Sequence, residues 1–350
     1  MALHPHAARA PCALAPARHG GRSLRCPTEG VALMPGALEL RHGGRIAGLQ
    51  VAWRLDGPEA GPVVAVLGGI SAHRRVAGDE AAPGWWPALV RPGGGIDLDR
   101  YRVLGFDWLG GSEGTTGPEA GQAFPSVDPA DQADVLAWLL DHLGVARLQA
   151  VVGASYGAMV ALAFGVEHAA RARRLVVVSG AHRPHPLATA WRSIQRRIVR
   201  LGIERGAGPE SLSIARGLAM TTYRSAAEFG MRFDGAAVRD ASGFRFPVDA
   251  YLDAHGESFA ARVRPESYLC LSESIDLIDV DPARVRVPAT LVAVTSDVLV
   301  PLQHMRELAR HFGAPCRLAE IDSLYGHDAF LKEDALLEPL IADALEANPA

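Results

Sequence analysis

The sequence predicts an α/β fold: a mostly parallel central sheet, helices on both of its faces, and an inserted helical lid. Three observations carry this expectation. Apolar runs alternate with stretches of helical periodicity along much of the chain. A G-x-S-x-G pattern sits where one apolar run ends and a helical pattern begins. Between residues 181 and 282 the alternation stops and only helical patterning continues.

The elements follow in chain order. Residues 37–40 and 46–55 alternate apolar and polar around His42-Gly43-Gly44, as expected of a hairpin of half-buried strands. Residues 62–69 (PVVAVLGG) and 101–107 (YRVLGFD) are continuous apolar runs, the mark of strands covered on both faces. Residues 131–143 carry apolar side chains at helical spacing, with Pro129 near the start and Gly144 just after the end. Residues 147–153 form a strand that runs into a helix carrying Ala158, Val160, Leu162 and Phe164. Strands at 174–180, 287–295 and 316–321 complete the set, with a helix at 302–312 and a last helix at 334–345. A core over 36–180 and 283–347 is therefore interrupted by an insertion of 181–282, which holds the arginine-rich run 192–200. Leaving from the C-terminal edge of the sheet, that insertion reads as a lid over the serine turn. A helical domain of unrelated purpose is the other reading of the same stretch.

At 350 residues the chain has room for one large domain with an insertion, or for two small ones. A net charge of −4 gives no case for a nucleic-acid partner. Lys332 is the only lysine, which reads as coding bias and not as a binding surface. No apolar run has the length of a membrane span. Cys12, Cys26, Cys270 and Cys316 lack metal-site or C-x-x-C spacing and read as reduced thiols of a cytoplasmic protein. No metal or bound cofactor is indicated. Residues 1–35 are rich in Ala, Pro, Arg and His, with no acid before Glu29. They read as a disordered extension or as a start codon placed too early, and prolines at 5, 11, 16 and 27 work against a helix.

The chemistry begins at Gly153-Ala154-Ser155-Tyr156-Gly157. Strand, sharp turn and helix with a serine at the bend lift a hydroxyl clear of the sheet, and glycines two residues either side let strand and helix pass without a Cβ clash. A nucleophilic serine also needs a base and a group to orient it. Asp297 follows the strand at 287–295, and the Gly-containing loop before the last helix holds His327. Each alone is an ordinary turn residue. Together they give the Ser…Asp…His chain order of the α/β-hydrolase fold, with His327 as base to Ser155 and Asp297 orienting the imidazole. Oxyanion donors are expected from the Tyr156 N–H and from Gly69 or Ile70 in the loop after 62–69.

Several blocks resemble the homoserine O-acyltransferases, methionine-pathway enzymes of this fold. The run GFDWLGGSEGTTGP at 105–118 is similar to their L-G-G-x-x-G-T-T-G-P block, which ordinary esterases of the fold lack. Ser155-Tyr156-Gly157-Ala158-Met159 resembles their S-M-G-G-M elbow, and Thr222-Tyr223-Arg224-Ser225 with Phe229, Arg232 and Phe233 their T-Y-R-S lid motif. Ser267-Tyr268-Leu269 with Asp276 is similar to their S-Y-L…D segment, and Gly326-His327-Asp328-Ala329-Phe330-Leu331 to their G-H-D-x-F-L ending. The resemblance spans about residues 37–345.

It implies a ping-pong transfer in which Ser155 takes an acetyl or succinyl group from an acyl-CoA co-substrate and passes it to the hydroxyl of L-homoserine. It also implies that Arg216 holds the acceptor's carboxylate, that Tyr223 stands beside the site, that Asp328 binds the amine, and that the enzyme is a homodimer. An amino acid does need one cation and one anion at fixed separation. The residues alone allow plainer roles, Arg216 as a solvated helix arginine and Asp328 as the N-cap of the last helix. The sequence departs from the family at Tyr156, Ala154, Ala158 and the oxyanion loop 70–75, positions expected to line the acyl pocket. A succinyl donor would need a cation there, and Arg74 is the expected one. Three other functions compete: a serine hydrolase, an L-serine O-acyltransferase, and a catalytically silent binding module.

Overall fold

A computed structural model describes residues 28–241 and 243–347. Its main sheet has eight strands: β1 (Thr28–Leu33), β2 (Gln50–Asp56), β3 (Val63–Leu67), β4 (Arg102–Phe106), β5 (Ala150–Ala154), β6 (Leu175–Val178), β7 (Ala289–Val294) and β8 (Cys316–Ile321). Their spatial order is β1-β2-β4-β3-β5-β6-β7-β8. β2 runs antiparallel to β1 and β4, and every pair from β4 to β8 is parallel. The apolar runs β3 and β5 therefore fall in the middle, and all five residues of β5 are buried. Parallel strands place their C-terminal ends on one edge, and the ends of β3, β5, β7 and β8 lead there into the four loops that carry the predicted chemistry.

Helix α1 (Pro129–His142) starts on a capping box. The Asp128 side chain accepts from the Ala130 and Asp131 N–H groups, and the Asp131 side chain accepts from the Asp128 N–H. Helix α2 (Tyr156–Glu167) is buried continuously from Tyr156 to Gly165. That is the behaviour of a helix that is apolar all round and is covered on every side.

Between β6 and β7 come five helices: α3 (Pro186–Glu204), α4 (Gly208–Tyr223), α5 (Ala226–Phe233), α6 (Asp249–Ala260) and α7 (Pro265–Leu277). All but α5 contribute to a small core of Val199, Leu212, Ala215, Phe259 and Tyr268, separate from the two clusters that flank the sheet. The predicted helical insertion is thus present, with one addition. Val238–Asp240 and Gly243–Arg245 pair as a short, largely exposed ladder that no apolar run announces. Helices α8 (Leu302–His311) and α9 (Asp334–Glu346) complete the fold. Among the described residues, no helix is long and apolar enough to cross a membrane.

Two expectations at the N-terminal end are corrected. The hairpin is much shorter than expected: Ala37–Glu39 pairs with Arg45–Ala47 outside the main sheet. Gly48, at φ 64°, turns the chain between Arg45–Ala47 and β2, so the alternating run at 46–55 is two strands. The boundary at residue 35 also falls too late, because Thr28–Leu33 pairs with residues 50–55 of β2. An edge strand whose side chains are mostly exposed has too few apolar residues to register as a buried run. The remainder of the expected extension, 1–27, lies outside the described residues.

Candidate active site

Ser155 sits between β5 and α2 with φ 56° and ψ −118°. A non-glycine residue holds a positive φ only when its surroundings enforce it. Here the glycines of the motif remove the obstacles. A Cβ on Gly153 would lie 2.2 Å from the Gly157 carbonyl oxygen, and one on Gly157 would lie 2.2 Å from that of Leu67. The Gly157 N–H donates to the Gly68 carbonyl at 2.8 Å and ties the turn to the end of β3.

Ser155, Asp297 and His327 come together as one hydrogen-bonded relay. Ser155 Oγ is 2.8 Å from His327 Nε2, and His327 Nδ1 is 2.7 Å from Asp297 Oδ2. Asp297 Oδ1 accepts from the Leu299 and Val300 N–H groups at 2.8 and 2.9 Å. As a carboxylate Asp297 only accepts, so the imidazole carries its proton on Nδ1 and presents a bare Nε2 to the serine. Burial by itself disfavours the imidazolium, but the charge and hydrogen bond of Asp297 outweigh it and raise the His327 pKa above its ordinary value. A base held this way accepts a proton from Ser155 readily.

The relay opens into a cavity of about 160 Å³ between the sheet edge and the lid. Gly69 and Ile70 line it beside Ser155. Their loop is pinned at the Gly69 carbonyl, which accepts from the Ala72 N–H at 2.9 Å and from Trp108 Nε1 at 3.0 Å. At the start of α2, the Gly157, Ala158 and Met159 N–H groups bond to the Gly68 and Ser155 carbonyls. The Tyr156 N–H takes part in none of these bonds.

Arg216, Tyr223 and Asp328 line the same cavity. The Arg216 guanidinium lies over two rings, 5.0 Å from the centre of Tyr223 and 4.7 Å from that of Phe259, and its buried Nε has no hydrogen-bond partner. The Tyr223 ring is 6.0 Å from that of His327. Asp328 lies in the turn Gly326–Leu331 and not at the start of α9, whose N-cap is Glu333. Burial raises its pKa, against the lowering effect of Arg224, His327 and Arg216. Both plainer readings are therefore excluded: Arg216 is a half-buried wall residue, and Asp328 is no cap.

A family model described as alpha/beta hydrolase fold matches residues 81–201. The homoserine O-succinyltransferase of Xanthomonas campestris pv. campestris is 45% identical over 313 residues, covering 89% of this chain and 82% of that protein. The chain belongs to the homoserine O-acyltransferase family. Among solved structures, a homoserine O-acetyltransferase from Bacillus anthracis and esterase E22 each superpose with a TM-score of 0.81 at 19% identity. The alignments cover 93% of this chain and 99% of the first, and 92% of this chain and 100% of the second. Equal likeness to a transferase and an esterase shows the fold alone.

Within that family setting, two pocket expectations are corrected. Tyr156 does not line the cavity. Its ring is fully buried beneath α2, edge-on to Trp108 at 4.9 Å, and its hydroxyl is 2.7 Å from Ser274 Oγ. Ala154 and Ala158 are core residues of the two sheet-flanking clusters, so the departures from the family at the elbow change packing, not the acyl pocket. Arg74 is not in the cavity wall either. It pairs with the buried Asp107, Nη1 to Oδ2 at 2.5 Å. Of the expected pocket changes, Ile70, Ser71 and Ala72 do line the cavity.

Sequence reasoning missed Trp85, Arg192 and Gln195 in the cavity wall, and Arg224 behind it. Arg224 Nε is 3.0 Å from Asp328 Oδ2, while its Nη1 reaches Glu228 at 3.2 Å. Tyr223-Arg224 stood in a recognised block, and only the fold shows which way each side chain turns. Cys270 is no rival nucleophile, since burial pushes its thiol up to about 12. Among the described residues, no cluster of His, Cys, Asp and Glu is placed to hold a metal.

Proposed function

We propose that the protein transfers an acyl group from an acyl-CoA to the side-chain hydroxyl of L-homoserine through an acyl-Ser155 intermediate. The observation that carries this reading is the company the relay keeps. Ser155, His327 and Asp297 open into one cavity whose wall also bears Arg216 and Asp328, a cation and an anion suited to the two charged ends of an amino acid. A simple esterase has no use for that pair.

In the first half-reaction His327 takes the Ser155 proton as Oγ attacks the thioester carbonyl. The C–S bond breaks and the proton passes to the leaving thiolate. The Tyr156 N–H and the loop at Gly69 and Ile70 serve as donors to the oxyanion. In the second half-reaction His327 takes the homoserine hydroxyl proton as that oxygen attacks the acyl-enzyme, and the Ser155 ester bond breaks with return of the proton to Oγ. Arg216 binds the acceptor carboxylate and Asp328 its ammonium, which holds the hydroxyl against the acyl carbon in place of water. No bound prosthetic group takes part.

The reading extends to a homodimer formed through the lid. Leu187, Ile194 and Leu201 recur every seven residues along α3, each about half exposed. The test of the reaction is product analysis with acyl-CoA in the presence and absence of homoserine. O-acylhomoserine as the main product, abolished by Ser155→Ala, is the expected result. Free carboxylic acid released at the same rate with and without homoserine would favour the hydrolase.

A further inference from the structure

The acyl group itself has a recognisable counterpart in the cavity wall. Three arginines line the cavity, and their partners separate them. Arg216 faces the Asp328 side, where the proposed acceptor binds. Arg183 is 44% exposed and paired with Glu307 at 2.8 Å, so it belongs to the mouth. Arg192, on α3, is 12% exposed and shares Asp276 of α7 with Arg196 and Thr189.

That cluster carries a surplus charge. Arg192 Nε and Nη2 donate to Asp276 Oδ1 at 2.9 and 2.6 Å, and Arg196 Nη1 donates to Asp276 Oδ2 at 2.6 Å. Two guanidiniums against one carboxylate leave a net charge of +1, in a place where all three side chains are nearly buried. Burying an unneutralised cation is costly, and the cost falls when an anion arrives. Arg196 is the more committed of the two, because its Nη1 also bonds the Ser272 carbonyl at 2.8 Å. The Nη1 of Arg192 makes none of these bonds. One turn along α3, Gln195 lines the cavity as well, and its Oε1 accepts from the Tyr268 hydroxyl at 2.8 Å. That contact leaves the Gln195 NH₂ group to serve the cavity. Residues three apart share a helix face, so Arg192 and Gln195 act as one donor pair. The Arg192 charge also acts on His327, which puts it within electrostatic reach of the relay.

Resting on the acyl-transfer reading above, we infer that Arg192, with Gln195 beside it, binds the distal carboxylate of a dicarboxylic acyl group, so that the donor is succinyl-CoA in preference to a neutral acyl-CoA. Asp276 serves as the brace that fixes the Arg192 fork.

The test uses the full chain with L-homoserine and three thioesters: succinyl-CoA, butanoyl-CoA and acetyl-CoA. Succinyl and butanoyl have the same chain length and differ in the carboxylate. The expected kcat/KM favours succinyl-CoA over butanoyl-CoA by about 100-fold or more. Arg192→Gln lowers the succinyl-CoA value by a similar factor and the acetyl-CoA value by far less, and Arg192→Lys restores part of the loss. Butanoyl-CoA or acetyl-CoA matching succinyl-CoA in the unaltered enzyme would overturn the inference and leave the acyl-transfer reading standing. Equal losses with all donors in Arg192→Gln would also overturn it, since a residue that only braces the lid or binds the CoA phosphates does not tell the acyl groups apart. If Arg192→Gln does not fold, the succinyl to butanoyl ratio of the unaltered enzyme still decides. Transfer from none of the three thioesters would sink the acyl-transfer reading and this inference together.

Discussion

Ser155 is held in a backbone conformation that costs about 1–3 kcal/mol for a residue with a Cβ, and its neighbours force it there. His327 then supplies the most direct signature of the relay. Because its pKa is raised, the neutral form that accepts the serine proton is lost as the pH falls through a value above the ordinary 6.5. The rate of acyl-enzyme formation should therefore fall on the acid side with an apparent pKa above 6.5, measured by single-turnover kinetics. A midpoint below 6.5 would contradict the part given to Asp297. Asp328 acts later. Asp328→Asn should raise the KM for homoserine about 30-fold or more while leaving Ser155 acylation close to its original rate. Slowing of both steps alike would make Asp328 part of the relay instead.

At the scale of the element, the strand-turn-helix unit around Ser155 depends on a strand and a helix passing at close range. Gly157→Ala would drive a methyl group against the Leu67 carbonyl, at 2.2 Å, so β3 and α2 would have to part. A loss of about 2–3 kcal/mol in denaturant unfolding is expected; a change within 0.5 kcal/mol would mean that the turn has slack. This unit was legible in the sequence because its signals are local: an apolar run, a serine between glycines, a helical period. Asp297 and His327 were legible because each follows an apolar strand. Side-chain direction across elements was not. Nothing local tells that Tyr156 turns beneath α2 toward Ser274, or that Asp107 takes Arg74 away from the cavity. Arg192 was hidden for the same reason. Within an arginine-rich run, only the position of Asp276 on α7 sets Arg192 and Arg196 apart from the exposed Arg197 and Arg200.

On the scale of the whole molecule, the proposed reaction draws Ser155, Asp297, His327 and Asp328 from the core, and Arg192 and Gln195 of α3 with Arg216 and Tyr223 of α4 from the lid. The lid's outer face bears the other molecular expectation. If Leu187, Ile194 and Leu201 form a contact between two copies, Ile194→Glu should convert a dimer to a monomer in light scattering behind size-exclusion chromatography. A monomer before substitution would refute that contact. The edge strand β1 shows the limit of reading a chain by its apolar runs, since it is specified by pairing with β2 and hardly by its own hydrophobicity.

In the proposed reaction Ser155 carries the acyl group between two substrates. Intact-mass spectrometry of the protein mixed rapidly with succinyl-CoA tests it most directly. A single acyl adduct is expected, absent in Ser155→Ala, that persists in buffer and disappears on addition of L-homoserine with formation of the O-acyl amino acid. An adduct that water discharges as fast as homoserine does, or acyl transfer that survives Ser155→Ala, would contradict it.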